Sequence, residues 1–190
     1  MTVSELLIQL KALADGTRLR LINVLSEKEL IVKELVAILE MAQPRVSRHL
    51  KILTEAGLLA SRKDGLRVFY RVAETGPGLE TIEAIKERLQ DDDVHRSDLV
   101  RAREAIQERA MATSRFFDSI ADQWKSMRHE IFGDVDLAAE ILARMPQSST
   151  AADLGCGSGD MIEALLTRSE TVIGVDSSRR MLDMTRHRFS

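Results

Sequence analysis

Two groups of residues towards the C-terminus have the types and spacing to bind a nucleoside. The first is the glycine-rich segment Asp153–Gly159, which reads Asp-Leu-Gly-Cys-Gly-Ser-Gly and follows a short apolar run. Glycines after a strand let the backbone approach a ligand closely, although such a segment can also be a plain tight turn. The second is Asp176, which ends the next apolar run. Because an acidic side chain there can accept both hydroxyls of a ribose, the two groups together favour an adenosine-type ligand.

A short basic stretch is a second candidate for chemistry. The whole sequence has a net charge of -3, yet residues 42–72 contain seven Lys and Arg against one Glu and one Asp. From residue 76 onward the balance reverses, with 15 basic residues against 21 acidic ones. A local excess of positive charge in an acidic chain indicates a binding site for a polyanion.

The elements around this basic stretch are predicted to be a helix pair followed by a hairpin. A turn near residues 40–42 precedes a helix that begins at Gln43 and stops at Gly57. After that glycine the apolar period changes from helical to alternating, over 58–63 and 66–72, and Asp64-Gly65 predicts a hairpin turn between the two runs. This order is that of a winged helix-turn-helix, whose second helix can enter the major groove of DNA.

The predicted second helix has one apolar and one polar face. Val46, Leu50 and Leu53 recur at helical spacing and can hold the helix on its core. On the opposite face, Gln and Arg suit base edges, whereas Ser and Lys suit phosphates. The alternative is a small helical domain with a solvated basic face. The candidate DNA-binding residues are Gln43, Arg45, Ser47, Arg48, His49 and Lys51 on the helix, and Arg62, Lys63 and Arg67 on the hairpin.

Two segments resemble the ArsR-type bacterial repressors. Residues 13–21 are similar to the opening of their second helix, and residues 43–58 are similar to their recognition helix, within a resemblance that covers about residues 4–90. The resemblance implies a repressor that binds double-stranded DNA at a palindromic operator. It also implies a homodimer, paired through the first helix and the helix after the wing.

The metal sites of that family are not matched. Metal-sensing members carry two cysteines in a Glu-Leu-Cys-Val-Cys-Asp-Leu segment, whereas this sequence has Ile31 and Lys33 in their places. For the other family site, Asp93 and His95 supply the first half, but no ligands follow at the spacing of the second half. We therefore expect no metal cofactor.

The glycine-rich segment, extended to Ala152–Gly159, resembles motif I of the class I S-adenosylmethionine-dependent methyltransferases. Residues 172–178 resemble the strand and ribose-binding loop that follow, and Phe116–Trp124 is similar to the segment that folds over the ligand in small-molecule methyltransferases. The resemblance implies S-adenosylmethionine or S-adenosylhomocysteine as the ligand. Trp124 would belong to this lid or simply pack between helices.

Carried onto this sequence, the resemblance assigns roles to five cofactor-binding residues and to no catalytic residue. Gly155 and Gly157 would line the methionine part of the ligand, and Gly159 completes the turn. Asp176 would hold the ribose, and Asp153 would help to position the amino group.

The methyltransferase resemblance ends early. A class I methyltransferase has a seven-stranded sheet, whereas this sequence predicts two strands, over 151–154 and 171–176, with a loop over 146–150 and a helix over 161–168. Ser190 falls inside a predicted helix without a stop signal. We therefore expect a piece of a longer protein, too short to be an active methyltransferase. The expected domains are a winged helix-turn-helix domain over 1–78, a helical linker or dimerisation segment over 79–110, and the first part of a methyltransferase-like domain over 111–190.

The middle of the chain is predicted to be helical from 79 to about 145, with breaks at 91–93 and 132–134. An apolar stripe within it fits either a linker packed on the winged domain or a dimer interface that transmits the state of the ligand. We expect dimerisation. The stripe consists of Ile82, Ile85, Leu89, Leu99, Ala102 and Ile106.

Composition excludes several classes of protein. No apolar run approaches the roughly 18–20 residues of a transmembrane helix, and the N-terminus lacks the pattern of a signal peptide. The single cysteine, Cys156, excludes an intrachain disulfide, and nothing nearby in sequence would lower its pKa for a catalytic role. We expect a bacterial cytoplasmic protein that does not bind membranes.

The predicted fold is a mainly α-helical winged helix-turn-helix domain followed by an α/β, Rossmann-like methyltransferase fragment. The expected function is a homodimeric transcriptional repressor that senses S-adenosylmethionine or S-adenosylhomocysteine. The alternative is a small-molecule methyltransferase in its full-length form, with the DNA-binding domain as an autoregulator. A third interpretation is a protein-interaction scaffold with a degenerate ligand fold.

Overall fold

A computed structural model of the chain describes residues 2–90, 92–133 and 135–190. The chain divides into two compact units, the first ending at Glu108 and the second beginning at Arg109. Across these described ranges, none of the helices combines the length and the apolar character needed to cross a membrane.

The first unit is a winged helix-turn-helix, as the sequence predicts. Val46, Leu50 and Leu53, the predicted apolar face of the recognition helix, are each at most 1% exposed in its core. The elements are α1 (Val3–Leu13), α2 (Gly16–Leu25), β1 (Leu30–Ile31), α3 (Val32–Leu39), α4 (Gln43–Glu55), β2 (Leu59–Asp64), β3 (Arg67–Val72), α5 (Pro77–Gln90) and the first part of α6 (Asp93–Ile120).

The turn between α3 and α4 has an unusual backbone. Glu40 caps the C-terminus of α3 with a φ of 54° and a ψ of 44°, the left-handed region that non-glycine residues rarely adopt. Pro44 lies in the first turn of α4, where the N–H that proline lacks has no helical partner in any case. The chain therefore turns sharply into α4, which fixes the direction of the recognition helix.

The wing differs from its prediction at the turn. Asp64 pairs with Arg67, so the hairpin loop is Gly65-Leu66 and the predicted Asp64-Gly65 turn is wrong by one residue. Gly65 has a φ of 57°, and Leu66 has no positive φ. A positive φ at the first loop residue alone is the pattern of a type II′ turn, which requires glycine there. The side chain of Leu66 is fully exposed at the tip of the wing.

A short strand that the sequence analysis did not predict completes this sheet. β1 pairs antiparallel with β3, and the order of the sheet is β1-β3-β2. Its two residues, Leu30 and Ile31, are too few for an alternating pattern to be recognised. The strand joins the loop after α2 to the base of the wing.

The apolar stripe of α5 and α6 packs on the core of the first unit. Ile82, Leu89, Leu99 and Ala102 are buried, and the other two stripe residues are partly buried against the same core. The stripe is therefore a packing surface within the unit, as one of the two predicted roles requires, and its role in dimerisation stays a prediction. The breaks predicted at 91–93 and 132–134 coincide with the ends of α5 and α7, although Asp91 and Asp134 lie outside the described residues.

The second unit is built around a parallel pair of strands, β4 and β5, in register from Ser148 with Ser169 to Leu154 with Val175. Its elements are the rest of α6, a 3₁₀ turn (Ala121–Gln123), α7 (Trp124–Phe132), α8 (Leu137–Arg144), β4 (Ser148–Leu154), α9 (Ile162–Leu165), β5 (Ser169–Val175) and α10 (Arg179–Phe189). The parallel pair and its flanking helices confirm the predicted α/β fragment.

Two predicted boundaries in this unit are wrong. The loop predicted over 146–150 ends earlier, because Ser148 pairs with Ser169 and their hydroxyl oxygens lie 2.9 Å apart. The helix predicted over 161–168 contracts to α9, because Thr167 and Arg168 donate backbone hydrogen bonds three residues back and close tighter turns.

Candidate nucleic-acid interface and ligand pocket

The outer face of α4 carries most of the residues that the sequence proposes for DNA. Burial of Val46, Leu50 and Leu53 turns the opposite side of the helix to solvent. Within the described ranges, Arg45 and Arg48 have no carboxylate partner, and Nζ of Lys51 lies 3.7 Å from Oε1 of Glu55. The residues exposed together on this face are Gln43, Arg45, Ser47, Arg48 and Lys51.

His49 does not join this face. Its side chain is only 15% exposed, and Nδ1 lies 3.7 Å from Oδ1 of Asp15 without a hydrogen-bond partner. The expectation that His49 is presented to solvent is wrong, because position 49 lies three residues after Val46 on the inward side of the helix. His49 therefore contacts the N-terminus of α2 instead.

Asp15 is the residue that His49 faces, and it caps α2. Its Oδ1 accepts a hydrogen bond of 3.0 Å from the backbone N–H of Arg18. Burial raises the pKa of the Asp15 carboxyl, but that hydrogen bond and the charges of Arg18 and His49 outweigh burial and leave the pKa below its usual value. A stable carboxylate therefore lies at the junction of α2 and the recognition helix.

The three wing residues fall into two groups. Lys63 and Arg67 are exposed and have no carboxylate partner in the part of the chain described. Arg62 instead donates hydrogen bonds to Glu29 and Asp64, and these bonds raise the pKa of its guanidinium. The structure therefore does not leave Arg62 free in the way that the sequence analysis assumed.

The second unit contains a pocket of about 780 Å³ at the carboxyl ends of its two strands. This is the edge at which ligands bind in open α/β sheets. The glycine turn after β4 forms one wall, and the residues after β5 form another. The lining residues most relevant to binding are Phe117, Trp124, Arg128, Asp153, Asp160 and Asp176.

Asp176 is held in place by backbone donors from both loops. Its Oδ2 accepts a hydrogen bond of 2.8 Å from the N–H of Gly157, and its Oδ1 accepts one of 2.8 Å from the N–H of Ser178. A carboxylate can accept about four hydrogen bonds. Both oxygens of Asp176 therefore retain the capacity to accept a ligand hydroxyl.

Asp153 lies in the same pocket with one oxygen unsatisfied. Its Oδ2 is buried and has no hydrogen-bond partner among the described residues. Burial raises the pKa of the Asp153 carboxyl, and the negative charge of Asp176 raises it further. A buried acceptor without a donor is costly, so this oxygen favours a ligand that brings an N–H or a positive charge.

The three glycines of the turn have different surroundings. All have positive φ, and Gly155 and Gly157 line the pocket, where a Cβ on Gly157 would lie 3.6 Å from Nε1 of Trp124. Gly159 is buried and does not line it; a Cβ there would lie 2.9 Å from Cγ2 of Thr185. Gly159 therefore packs against α10, and its expected contact with the cofactor is not supported by this geometry.

Two aromatic side chains line the pocket together with the glycine turn. Phe117 and Trp124 meet edge to face with ring centres 5.9 Å apart. The sequence left two roles open for Trp124, a residue of the lid or a packing residue. The structure places it both at the pocket and in this aromatic contact. Planar apolar side chains of this kind suit the stacking or covering of a nucleoside.

Arg128 and Asp160 are pocket residues that the sequence analysis missed. Nη1 of Arg128 lies 2.8 Å from Oδ2 of Asp160, whose Oδ1 accepts a hydrogen bond of 2.7 Å from Arg188. Burial raises the pKa of Asp160, but the hydrogen bonds from Arg188, Arg128 and Ser158 outweigh it and lower the pKa. The one available signal was the position of Asp160 directly after the glycine turn.

The remaining candidates for chemistry have structural surroundings. The described residues contain no group of three or more His, Cys, Asp or Glu side chains that could hold a metal ion. Nδ1 of His95 lies 3.0 Å from Oδ1 of Asp92, the residue that caps α6, whereas Asp93 forms an ion pair with Arg96. Burial raises the pKa of the Cys156 thiol, with Asp153 and Asp176 adding to the effect, which disfavours the reactive thiolate.

The fold and exposed basic helix of the first unit define the winged helix-turn-helix class of DNA-binding proteins. Residues 15–61 match the family described as bacterial regulatory protein, arsR family. The Arsenical resistance operon repressor of Escherichia coli is 51% identical over 64 residues, which cover 33% of this chain and 55% of that protein. The protein of the same name from Staphylococcus aureus is 36% identical over 72 residues, which cover 38% of this chain and 69% of that protein. The chain belongs to the ArsR family.

The chain spans little more than half the length of the first curated relatives that it matches. A solved structure of HlyU from Vibrio cholerae has a TM-score of 0.41 and 34% identity, covering 46% of this chain and 90% of that one. In the second unit, residues 151–190 match a family described as methyltransferase domain. The chain therefore carries an ArsR-family region and a methyltransferase-type region.

Proposed function

We propose that this protein is a homodimeric transcriptional repressor of the bacterial cytoplasm whose activity responds to S-adenosylmethionine or S-adenosylhomocysteine. Residues 1–78 would read DNA, 79–110 would link or dimerise, and 111–190 would hold the ligand. The observation that carries the DNA-binding part is the exposed face of α4, on which Arg45 and Arg48 have no carboxylate partner in the described part of the chain. The match to the ArsR family supports the same conclusion.

The chemistry of α4 fits the major groove. Gln43, Arg45 and Arg48 can form paired hydrogen bonds with adenine or guanine edges, whereas Ser47 and Lys51 suit phosphates. Lys63 and Arg67 on the wing would add phosphate contacts beside the groove. Two such helices in a homodimer would read a palindromic operator.

The surface of α1 supports dimerisation. Val3 is 76% exposed, and Leu7, Ile8 and Leu10 are each about half exposed along this helix. A cluster of exposed apolar side chains on one helix is costly in water and suits a second copy of the same surface. Sedimentation of Leu7→Glu should show monomers where the unmodified protein shows dimers. The control is Leu66→Glu, which changes an apolar residue at the wing tip.

The ligand proposal rests on the unsatisfied oxygen of Asp153. The α-amino group of S-adenosylmethionine or S-adenosylhomocysteine would supply the missing donor, and the ribose hydroxyls would bind Asp176. The aromatic side chains of Phe117 and Trp124 lie on the same pocket. The match of residues 151–190 to a methyltransferase domain favours the same ligand class.

That match also supports a second candidate, which is a small-molecule methyltransferase in its full-length form. Its DNA-binding region would then be an autoregulator. No residue in the pocket is assigned as a catalyst, since the thiol of Cys156 is buried with a raised pKa. Incubation of the full-length protein with labelled S-adenosylmethionine and a panel of small acceptors tests this candidate. Label transfer would favour the enzyme, and binding without transfer would favour the sensor.

The DNA-binding proposal is tested on a duplex selected by the protein from a randomised library. Arg48→Ala should weaken binding to this duplex by about 1–3 kcal/mol and relax its sequence preference. Lys51→Ala should weaken specific and random duplexes alike. Unchanged affinity of Arg48→Ala for the selected duplex would remove this residue from base reading.

A further inference from the structure

The base of the wing contains an arginine whose charge is already compensated. Nε of Arg62 donates a hydrogen bond of 2.8 Å to Oε2 of Glu29, and Nη2 donates a second one to the other oxygen. Nη1 donates a hydrogen bond of 3.1 Å to Oδ2 of Asp64. Two carboxylates therefore share one guanidinium, and the local charge of the three groups is negative.

The ring of Phe69 completes this arrangement. Phe69 is the cross-strand partner of Arg62, and the guanidinium carbon lies 4.6 Å from the centre of its ring. A planar guanidinium with a paired carboxylate on its edge and an aromatic ring on its face has a defined orientation. Arg62 is therefore fixed both along the strand and across the hairpin.

Glu29 connects the wing to a part of the chain that is distant in sequence. It lies in the loop between α2 and β1, 33 residues before Arg62, so the ion pair ties the wing to the body of the first unit. Lys63 and Arg67 extend from the same hairpin and remain exposed. The orientation of the hairpin determines where these two side chains can meet DNA.

We propose that Arg62 is a positioning residue that acts through Glu29 to hold the wing, so that Lys63 and Arg67 reach phosphates, and that Arg62 contacts no phosphate itself. The inference rests on the proposed binding of DNA. It replaces the expectation from the sequence that Arg62 is one of three equivalent wing contacts.

The salt dependence of binding separates positioning from phosphate contact. Each lost phosphate contact lowers the slope of log affinity against log salt by about 0.9. Lys63→Gln should show this change on the selected duplex. Arg62→Gln and Arg62→Lys should each release the wing, so each should lose about tenfold in affinity together with the contacts of Lys63 and Arg67, which lowers the slope by up to about 1.8. Lysine retains the charge but cannot form the paired hydrogen bonds to Glu29, so tight binding by Arg62→Lys would contradict the proposal.

The variant Glu29→Gln should change DNA affinity in opposite directions, depending on whether Glu29 competes with phosphate for Arg62 or positions the wing. If Glu29 merely competes with phosphate for Arg62, its removal should tighten binding and increase the slope. If Glu29 positions the wing, binding should weaken to the level of Arg62→Gln, and the double variant should be no weaker than either single one. Glu74→Gln is the matched control, because it removes the same charge from the neighbouring pair with Arg71.

The outcomes distinguish this inference from the proposed function. Absence of a salt-dependent complex for the unmodified protein would overturn DNA binding and the inference with it. A normal complex combined with an unchanged slope for Arg62→Lys, or with tighter binding by Glu29→Gln relative to Glu74→Gln, would overturn the positioning role alone. Thermal unfolding of each variant should match the unmodified protein to within a few degrees, since the Arg62 side chain is 48% exposed.

Discussion

Oδ2 of Asp176 accepts a hydrogen bond of 2.8 Å from the backbone N–H of Gly157, which ties the end of β5 to the glycine turn after β4. The carbonyl of Gly157 in turn accepts a hydrogen bond of 2.7 Å from Oγ1 of Thr185 on α10. The proposed ribose acceptor and the proposed methionine-binding turn are thus held together before any ligand arrives. Such preorganisation lowers the cost of ordering the site on binding.

Replacement of Asp176 by asparagine should weaken ligand binding. The amide retains one acceptor oxygen, whereas the carboxylate has two that already bond to Gly157 and Ser178. Hydrogen bonds to a charged group contribute about 1.5–3 kcal/mol, so the affinity for S-adenosylhomocysteine should fall by about tenfold or more in titration calorimetry. Asp183→Asn, on the exposed side of α10, is the control and should bind normally. Equal affinities for the two variants would exclude Asp176 as a ligand contact.

Replacement of Asp153 should change stability in a pH-dependent way. The pKa of Asp153 is raised in the folded protein, so the unfolded chain loses this proton first as the pH rises through its usual value of 3.8. Stability falls over that interval and stays lower above the folded pKa. Asp153→Asn removes this cost, so the second unit should melt at a higher temperature than the unmodified protein at pH 7. The difference should vanish at pH 3, and a difference of the same size at both pH values would contradict the account.

Gly159→Ala should destabilise the second unit. The added methyl would lie 2.9 Å from side-chain atoms of Thr185 and Phe189, and the φ of 79° is unfavourable for alanine. We expect a loss of about 1–3 kcal/mol in the free energy of unfolding, measured with urea. Gly16→Ala is the matched control, because a Cβ at Gly16 meets nothing within 4 Å and its backbone is ordinary. Equal stability of the two variants would show that Gly159 is not required for packing.

Glu40→Gly should stabilise the first unit. Glycine adopts the left-handed backbone of this position without the steric cost that Glu40 bears. The exposed pair of Glu40 with Arg101, at 3.5 Å, contributes little and is the only ion pair of Glu40 among the described residues. The net gain should be about 0.5–1 kcal/mol in thermal unfolding. Glu40→Ala keeps the backbone cost and should show no gain; a gain of the same size would assign the effect to charge rather than backbone.

Local patterns were sufficient to predict the winged helix-turn-helix. The helical spacing of Val46, Leu50 and Leu53 located the recognition helix, and Gly57 located its end. The glycine turn and Asp176 likewise located the ligand pocket. The recognition helix depends on residues that are near neighbours in sequence, so its geometry follows from helix periodicity.

Contacts between distant residues could not be predicted in the same way. The pairing of Arg62 depends on Glu29. Arg128 enters the pocket from α7 through its pair with Asp160. In each case an ordinary surface residue acquires its role from a partner more than thirty positions away, which no local pattern records.

The most direct test of the central claim measures DNA affinity of the full-length protein with and without ligand. Fluorescence anisotropy on the selected duplex, at fixed salt, should be recorded with saturating S-adenosylmethionine and separately with saturating S-adenosylhomocysteine. An allosteric coupling of about 1–3 kcal/mol predicts a change of roughly five- to 150-fold in affinity with at least one of them, and no change in the Asp176→Asn variant at the same ligand concentration. Identical affinities for the unmodified protein with and without either ligand, at concentrations that calorimetry shows to be saturating, would contradict the claim.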